Sequence, residues 1–161
     1  MSLVIAPRVG AGLHPLTLKG SIAFGTATLA AGKCVGGLVT VQTPLPASAE
    51  VRLVDLAVVA LLANVSTPQS LLAHVFDELP TGTFTDAATL ALAAGDAAKL
   101  VYEGTVAIAS AAGGAAWWAA SINRSLILDA TGKLYFSIAS AATNLVFGGA
   151  GTLAYRIGLQ Y

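Results

Sequence analysis

LLAHVFDELPTGTFTDAATLALAAGDAAKLVYEGTVAIA, residues 71–109, contains two extended apolar runs, Leu71–Phe76 and Leu100–Ala109. Between them lies a turn-rich connection carrying Pro80, Gly82, Asp86, Gly95 and Asp96. Short carboxylates collect where chains turn, because they accept bonds from backbone N–H groups two or three residues further on. Asp86 also precedes AATLALAA, a pattern that allows one or two turns of helix with Asp86 as N-cap. A calcium site shared by Asp86 and Asp96 is the sharper alternative. Calcium takes about six or more oxygens, and no DxDxDG-type spacing supplies them here. The stretch reads as strand, ordered loop, strand, a scaffold without catalytic apparatus.

Outward from this stretch the chain continues in short extended segments. Leu16, Leu18, Ile22 and Phe24 alternate with Thr17, Lys19, Ser21 and Ala23, the period of a half-buried strand. Cys34–Gln42 reads as a further strand, with Gly36-Gly37 marking a bulge or a close backbone approach. Val51–Ala63 is apolar on both faces, which fits a strand covered on both sides; a helix is the alternative that periodicity leaves open. Asp129-Ala-Thr-Gly132, between Leu126–Leu128 and Lys133–Ala139, predicts a β-hairpin in which Gly132 takes positive φ. Leu153, Tyr155, Ile157, Leu159 and Tyr161 give the last strand its inner face. Eight or nine such strands with at most one short helix predict an all-β chain, a jelly-roll-like β-sandwich over residues 16–161. Residues 1–15, with Pro7 and Pro15 and no periodicity, read as an extended N-terminal arm.

Composition excludes several functions. The 161 residues carry eight basic and eight acidic side chains, only 10% charged against about 25% in an average protein. The cations are scattered singly from Arg8 to Arg156, so no cluster exists to displace phosphate counterions, and nucleic-acid binding is not expected. Alanine, 33 residues, supplies much of the hydrophobicity. The longest charge-free runs, Leu56–Phe76 and Gly104–Asn123, are broken by polar residues or by Gly-Gly, which speaks against a membrane span. Pro7 and Arg8 stand where a secretory signal would still be apolar, so none is expected. A single cysteine, Cys34, forms no internal disulfide and reads as a small buried hydrophobe. Two histidines, His14 and His74, build no recognisable catalytic or metal motif. No catalytic residue, metal ligand or cofactor is therefore assigned, and an enzyme is not expected.

Two features suggest contact with a partner. One is the apolar arm around Val4, Ile5 and Pro7. The other is Trp117-Trp118, whose side chains fall on opposite faces of an extended chain, one into the core and one outward. An outward Trp is a candidate interface anchor; a sugar-stacking platform in a lectin-like module is the alternative. A low-charge, Ala- and Gly-rich surface is also what subunits show where they pack into assemblies.

Phe76-Asp77, Pro80-Thr81, Phe84-Thr85-Asp86, Asp96 and Gly104 resemble the small structural proteins encoded in the head-gene clusters of tailed bacteriophages. Proteins of that kind are all-β, jelly-roll-like decoration or cement proteins bound outside the capsid lattice. The resemblance implies a non-enzymatic virion protein that binds the major capsid protein as a dimer or trimer. It implies a place on the capsid surface, after a passage through the host cytoplasm during assembly.

Overall fold

The computed structural model describes residues 13–25, 28–61, 70–112, 115–141, 145–147 and 150–161. In chain order the strands are β1 (Pro15–Phe24), β2 (Thr28–Leu29), β3 (Val39–Gln42), β4 (Glu50–Leu61) and β5 (Leu71–Phe76), then β6 (Leu100–Ala112), β7 (Ala115–Ile127), β8 (Lys133–Ser140), β9 (Leu145–Val146) and β10 (Gly151–Gln160). A single 3₁₀ turn, Asp96–Ala98, is the only helical element among the described residues.

The pairing is nested. β5 pairs with β6, β4 with β7, β3 with β8, β2 with β9 and β1 with β10, all antiparallel. The chain is thus one long hairpin whose tip is the loop between β5 and β6. That hairpin is rolled up, so that β10 also lies against β4 and β8 against β5. The result is a β1-β10-β4-β7 sheet facing a β6-β5-β8-β3 sheet, the jelly-roll arrangement. β6 joins them: its first half pairs with β5 and its second half, beyond Val106, with β7. The eight strands form one continuous, nearly barrel-shaped sheet.

The core lies between the two layers. From β4 it takes Val51, Leu53, Leu56, Val58 and Ala60, the phase slipping by one residue at a bulge between Leu53 and Asp55. Leu71, Ala73 and Val75 of β5, Phe136 and Ile138 of β8, and Leu153, Ile157 and Leu159 of β10 meet them. The β1 alternation holds, with Ile22 and Phe24 buried. A smaller cluster, Phe76, Phe84 and Tyr135, lies on the far side of β5 and β8, roofed by Leu90 and Leu92 of the long loop.

β4 is a strand between β10 and β7, as read for Val51–Ala63, of which residues 62 and 63 lie outside the described residues; the helical alternative is excluded. Three expectations need correction. AATLALAA is not a helix: Ala87 has φ +59°, and the segment makes isolated bridges at Thr89 and Ala91 instead. The Cys34–Gln42 strand is shorter, since only Val39–Gln42 pairs as a strand while Gly36, at φ +71°, turns the chain before it. The expected arm loses its end to the sandwich, because Pro15 opens β1 and His14 exchanges backbone bonds with Tyr161.

The turn at Asp129–Gly132 is present but does not make a hairpin. The Gly132 N–H donates to the Asp129 carbonyl at 3.0 Å and Gly132 has φ +74°. The Asp129 carboxylate accepts from the Thr131 N–H and hydroxyl, the Lys133 N–H and the Tyr135 hydroxyl. The flanking strands then separate, β7 to β4 and β6, β8 to β3 and β5. The turn is a corner between sheets. A Cβ on Gly132 would stand 2.8 Å from the Leu45 carbonyl oxygen in addition to the left-handed backbone. Gly132→Val should therefore cost at least about 1–2 kcal/mol, read as a lower denaturant midpoint with an unchanged slope.

Candidate interaction surface

The register of β7 decides what its two tryptophans do. Trp118 pairs with Val58 and Ile108, is fully buried, and meets the ring of Phe147 edge-on at 6.5 Å. Its indole is core and offers no exposed face. Trp117 pairs with Val59, one position out of phase with the buried set; its side chain lies outside the described residues. Val4, Ile5 and Pro7 lie outside them as well.

On the outer face of the β1-β10-β4-β7 sheet, charged side chains flank a small apolar area. Ala57, Val59 and Ala154 floor a shallow depression of about 240 Å³ flanked by Lys19 and Arg156. Arg156 is 3.6 Å from the Asp55 carboxylate, both partly exposed, a contact of about 1 kcal/mol at most.

The carboxylates of the long loop serve its backbone. Asp86 accepts from Gly25 and Gly36 N–H groups, each at 2.7 Å, tying the end of β1 to the turn before β3. Asp96 is buried and accepts from the N–H groups of Thr81, Gly82 and Ala93 at 2.8–2.9 Å and from the Thr81 hydroxyl at 3.3 Å. The Thr81 N–H above all, with the other donors, holds the Asp96 carboxyl below its ordinary value. Oxygens engaged this way are not free to ligate calcium, and among the described residues no three His, Cys, Asp or Glu stand together as metal ligands. Asp129 behaves similarly. Burial raises its pKa, but the Tyr135 hydroxyl, Lys133 N–H and Thr131 donors outweigh that and bring it to about 2.

One polar row escaped the sequence reading. On the far face of the β6-β5-β8 sheet, Glu103, His74 and Ser137 stand side by side across three strands. His74 is buried, its Nε2 3.8 Å from the Glu103 carboxylate, and neither its Nδ1 nor the Ser137 hydroxyl has a partner among the described residues. An acid, an imidazole and a hydroxyl in a row resemble a hydrolase triad in composition alone. Ser137 and His74 are both buried, and their polar atoms are not presented to solvent. No sequence motif could signal the row, because its members come from three strands with no fixed spacing.

The chain matches no protein-family model and no curated protein. Among solved structures it is similar to a chain in a single-particle structure of maize chlorotic mottle virus, with 10% identity and a TM-score of 0.28 over 90% of this chain and 92% of the other. A likeness that distant carries no functional argument. Among the described residues no helix is long and apolar enough to cross a membrane, which leaves strand-built spans untouched.

Burial lowers the His74 pKa below its ordinary 6.5, and the nearby Glu103 charge only partly opposes this. The folded state then binds its proton later than the unfolded chain does. Stability contributed by neutral His74 should be complete above about pH 6.5 and decline as pH falls from there towards the folded value. Urea midpoints measured across that window should show the decline, and His74→Phe should flatten it.

Proposed function

We propose that the chain is a non-enzymatic virion structural protein, a decoration or cement protein that binds the outer surface of a capsid lattice as a homo-oligomer. What carries the reading is the outer face of the β1-β10-β4-β7 sheet, where Ala57, Val59 and Ala154 form an apolar floor across neighbouring strands in a shallow depression. Such a face lacks the deep cavity with convergent polar groups that a small-molecule site needs, and it suits burial against another protein. The resemblance of residues 76–104 to phage head proteins points the same way.

In this reading the partner is the major capsid protein, with no cofactor, nucleic acid or membrane involved. Many copies each bury a modest apolar area, and attachment is strong through multivalency rather than through any single contact. Trp117 is the proposed anchor. Val4, Ile5 and Pro7 supply an arm that is laid on a neighbouring subunit in the assembly. Residues 16–161 form the domain to which that arm is attached.

The two tryptophans separate folding from attachment. Trp118→Ala should cost about 3–5 kcal/mol of stability because it empties the core. Trp117→Ala should leave the thermal midpoint within a few degrees and weaken attachment by about 2 kcal/mol. Removal of residues 1–12 should also lower occupancy on undecorated capsids while the sandwich stays folded. A monomer that ignores capsids and binds an oligosaccharide through Trp117 would replace this reading with the lectin-like one.

A further inference from the structure

Three shallow cavities join end to end on the outer face and rim of the sandwich. The first, about 260 Å³, begins at Leu13 and Tyr161 and reaches Glu50 and Ser125. Glu50 and Ser125 also line the second, about 320 Å³, which reaches Asp77 and Ile127. Asp77 and Ile127 in turn line the third, about 330 Å³, which ends at Glu78 and Asp129. The shared residues make one continuous groove. It starts where the described chain starts and crosses β10, β4 and β7 at the level of the Arg52–Gln160 and Arg52–Ser125 pairs.

The groove is acidic away from its origin. Among the described residues Arg52 is its only cation, in the first cavity. Glu50, Asp77 and Glu78 follow, none with an ion-pair partner among the described residues. Burial first, and the adjacent Glu78 charge second, push the Asp77 carboxyl above its ordinary value, while nearby backbone N–H groups hold it back. Ile127, 57% exposed, gives the middle of the groove an apolar floor, and Leu79, 54% exposed, stands just past Glu78.

The sequence before Leu13 is complementary to that surface. Residues 1–12 contain Leu3, Val4 and Ile5 and one charged side chain, Arg8, with no acid. Five residue steps take the chain from Leu13 to Arg8, about 17 Å when extended, and the three inter-strand steps from β1 to β7 take about 14 Å. Arg8 therefore reaches the acidic section, and Val4 and Ile5 reach beyond it.

We propose that this groove is the seat of the chain's own residues 1–12 in the free protein, with Arg8 among Glu50, Asp77 and Glu78, its stem over Ile127, and the Leu3–Ile5 segment past them towards Leu79. The contact is intramolecular because the groove opens at Leu13, so the tethered segment is present there at high effective concentration. This concerns the free chain and does not depend on capsid binding. In an assembly the same segment leaves its own groove for a neighbour.

The test is a nitroxide placed on the full chain through Val4→Cys; Cys34 is buried and stays unlabelled. The amides of Glu78, Ile127 and Asp129 should lose signal in the paramagnetic sample, independently of protein concentration, and recover when Arg8→Glu is added. No signal loss in the Val4→Cys chain, or loss that persists in Arg8→Glu, overturns the proposal. So does loss seen in an isotope-labelled chain mixed with a spin-labelled, unlabelled one, which would assign the groove to the arm of a second copy.

Discussion

The pairing of β5 with β6 is the constraint from which the other registers follow. It is the innermost of five nested pairs, and each outer pair is brought together by the one inside it. The loop between these strands runs from Asp77 to Lys99, long enough that closing it costs entropy before any strand contact offsets that cost. Asp96 provides the offset locally. From a buried position its carboxylate gathers the backbone at Thr81, Gly82 and Ala93, both arms of the loop, into a single cluster of bonds. Further stabilisation comes from Phe84, which packs edge-on against Phe76 at 5.7 Å and fastens the loop to the outside of β5.

Closing the roll depends on chain that can bend and pack closely. β6 spans both sheets, with a register shift between Ile108 and Ser110 soon after it leaves β5. A second pair of shifts, at Leu53/Asp55 and at Gly158/Leu159, falls at neighbouring points of β4 and β10 and bends those strands together. There Gly158 faces the Asp55 carboxylate, where any Cβ would collide with it. On the inner side Phe136 meets Tyr155 edge-on at 4.9 Å, bridging the two layers where the sandwich is thick.

Much of this was legible in the chain, and the failures share one cause. The alternation in β1 and β10 reports directly which side chains are buried, because burial of one face imposes period two. Gly132 was legible because a left-handed turn position leaves few alternatives to glycine. The hairpin expected around it was not there, since a turn specifies only how the chain reverses locally. Whether its two arms then pair depends on strands far away in sequence, here β4 and β5. AATLALAA has the composition of a helix, yet its segment is held by Asp86 bonds to Gly25 and Gly36, partners about fifty to sixty residues distant. For the tryptophans, alternation showed that one of the pair is core; only the register of β7 against β4 identified it as Trp118. The acidic groove was invisible for the same reason, its residues coming from five separate stretches.

The distribution of carboxylates sharpens the argument from composition. Of eight acidic residues, Asp86, Asp96 and Asp129 are committed to backbone N–H groups, Asp55 lies against Arg156 and Glu103 against His74. Glu50, Asp77 and Glu78 are left, and all three border one groove. The rest of the surface therefore carries less free negative charge than a count over the sequence suggests, and β4 contributes one of the three, Glu50, where the groove crosses it. Charge repulsion is what keeps weakly polar surfaces apart in solution. Gathering the unpaired acids along one groove leaves the depression over Ala57, Val59 and Ala154 bordered by the cations Lys19 and Arg156 instead, so repulsion between negative charges is concentrated elsewhere on the molecule.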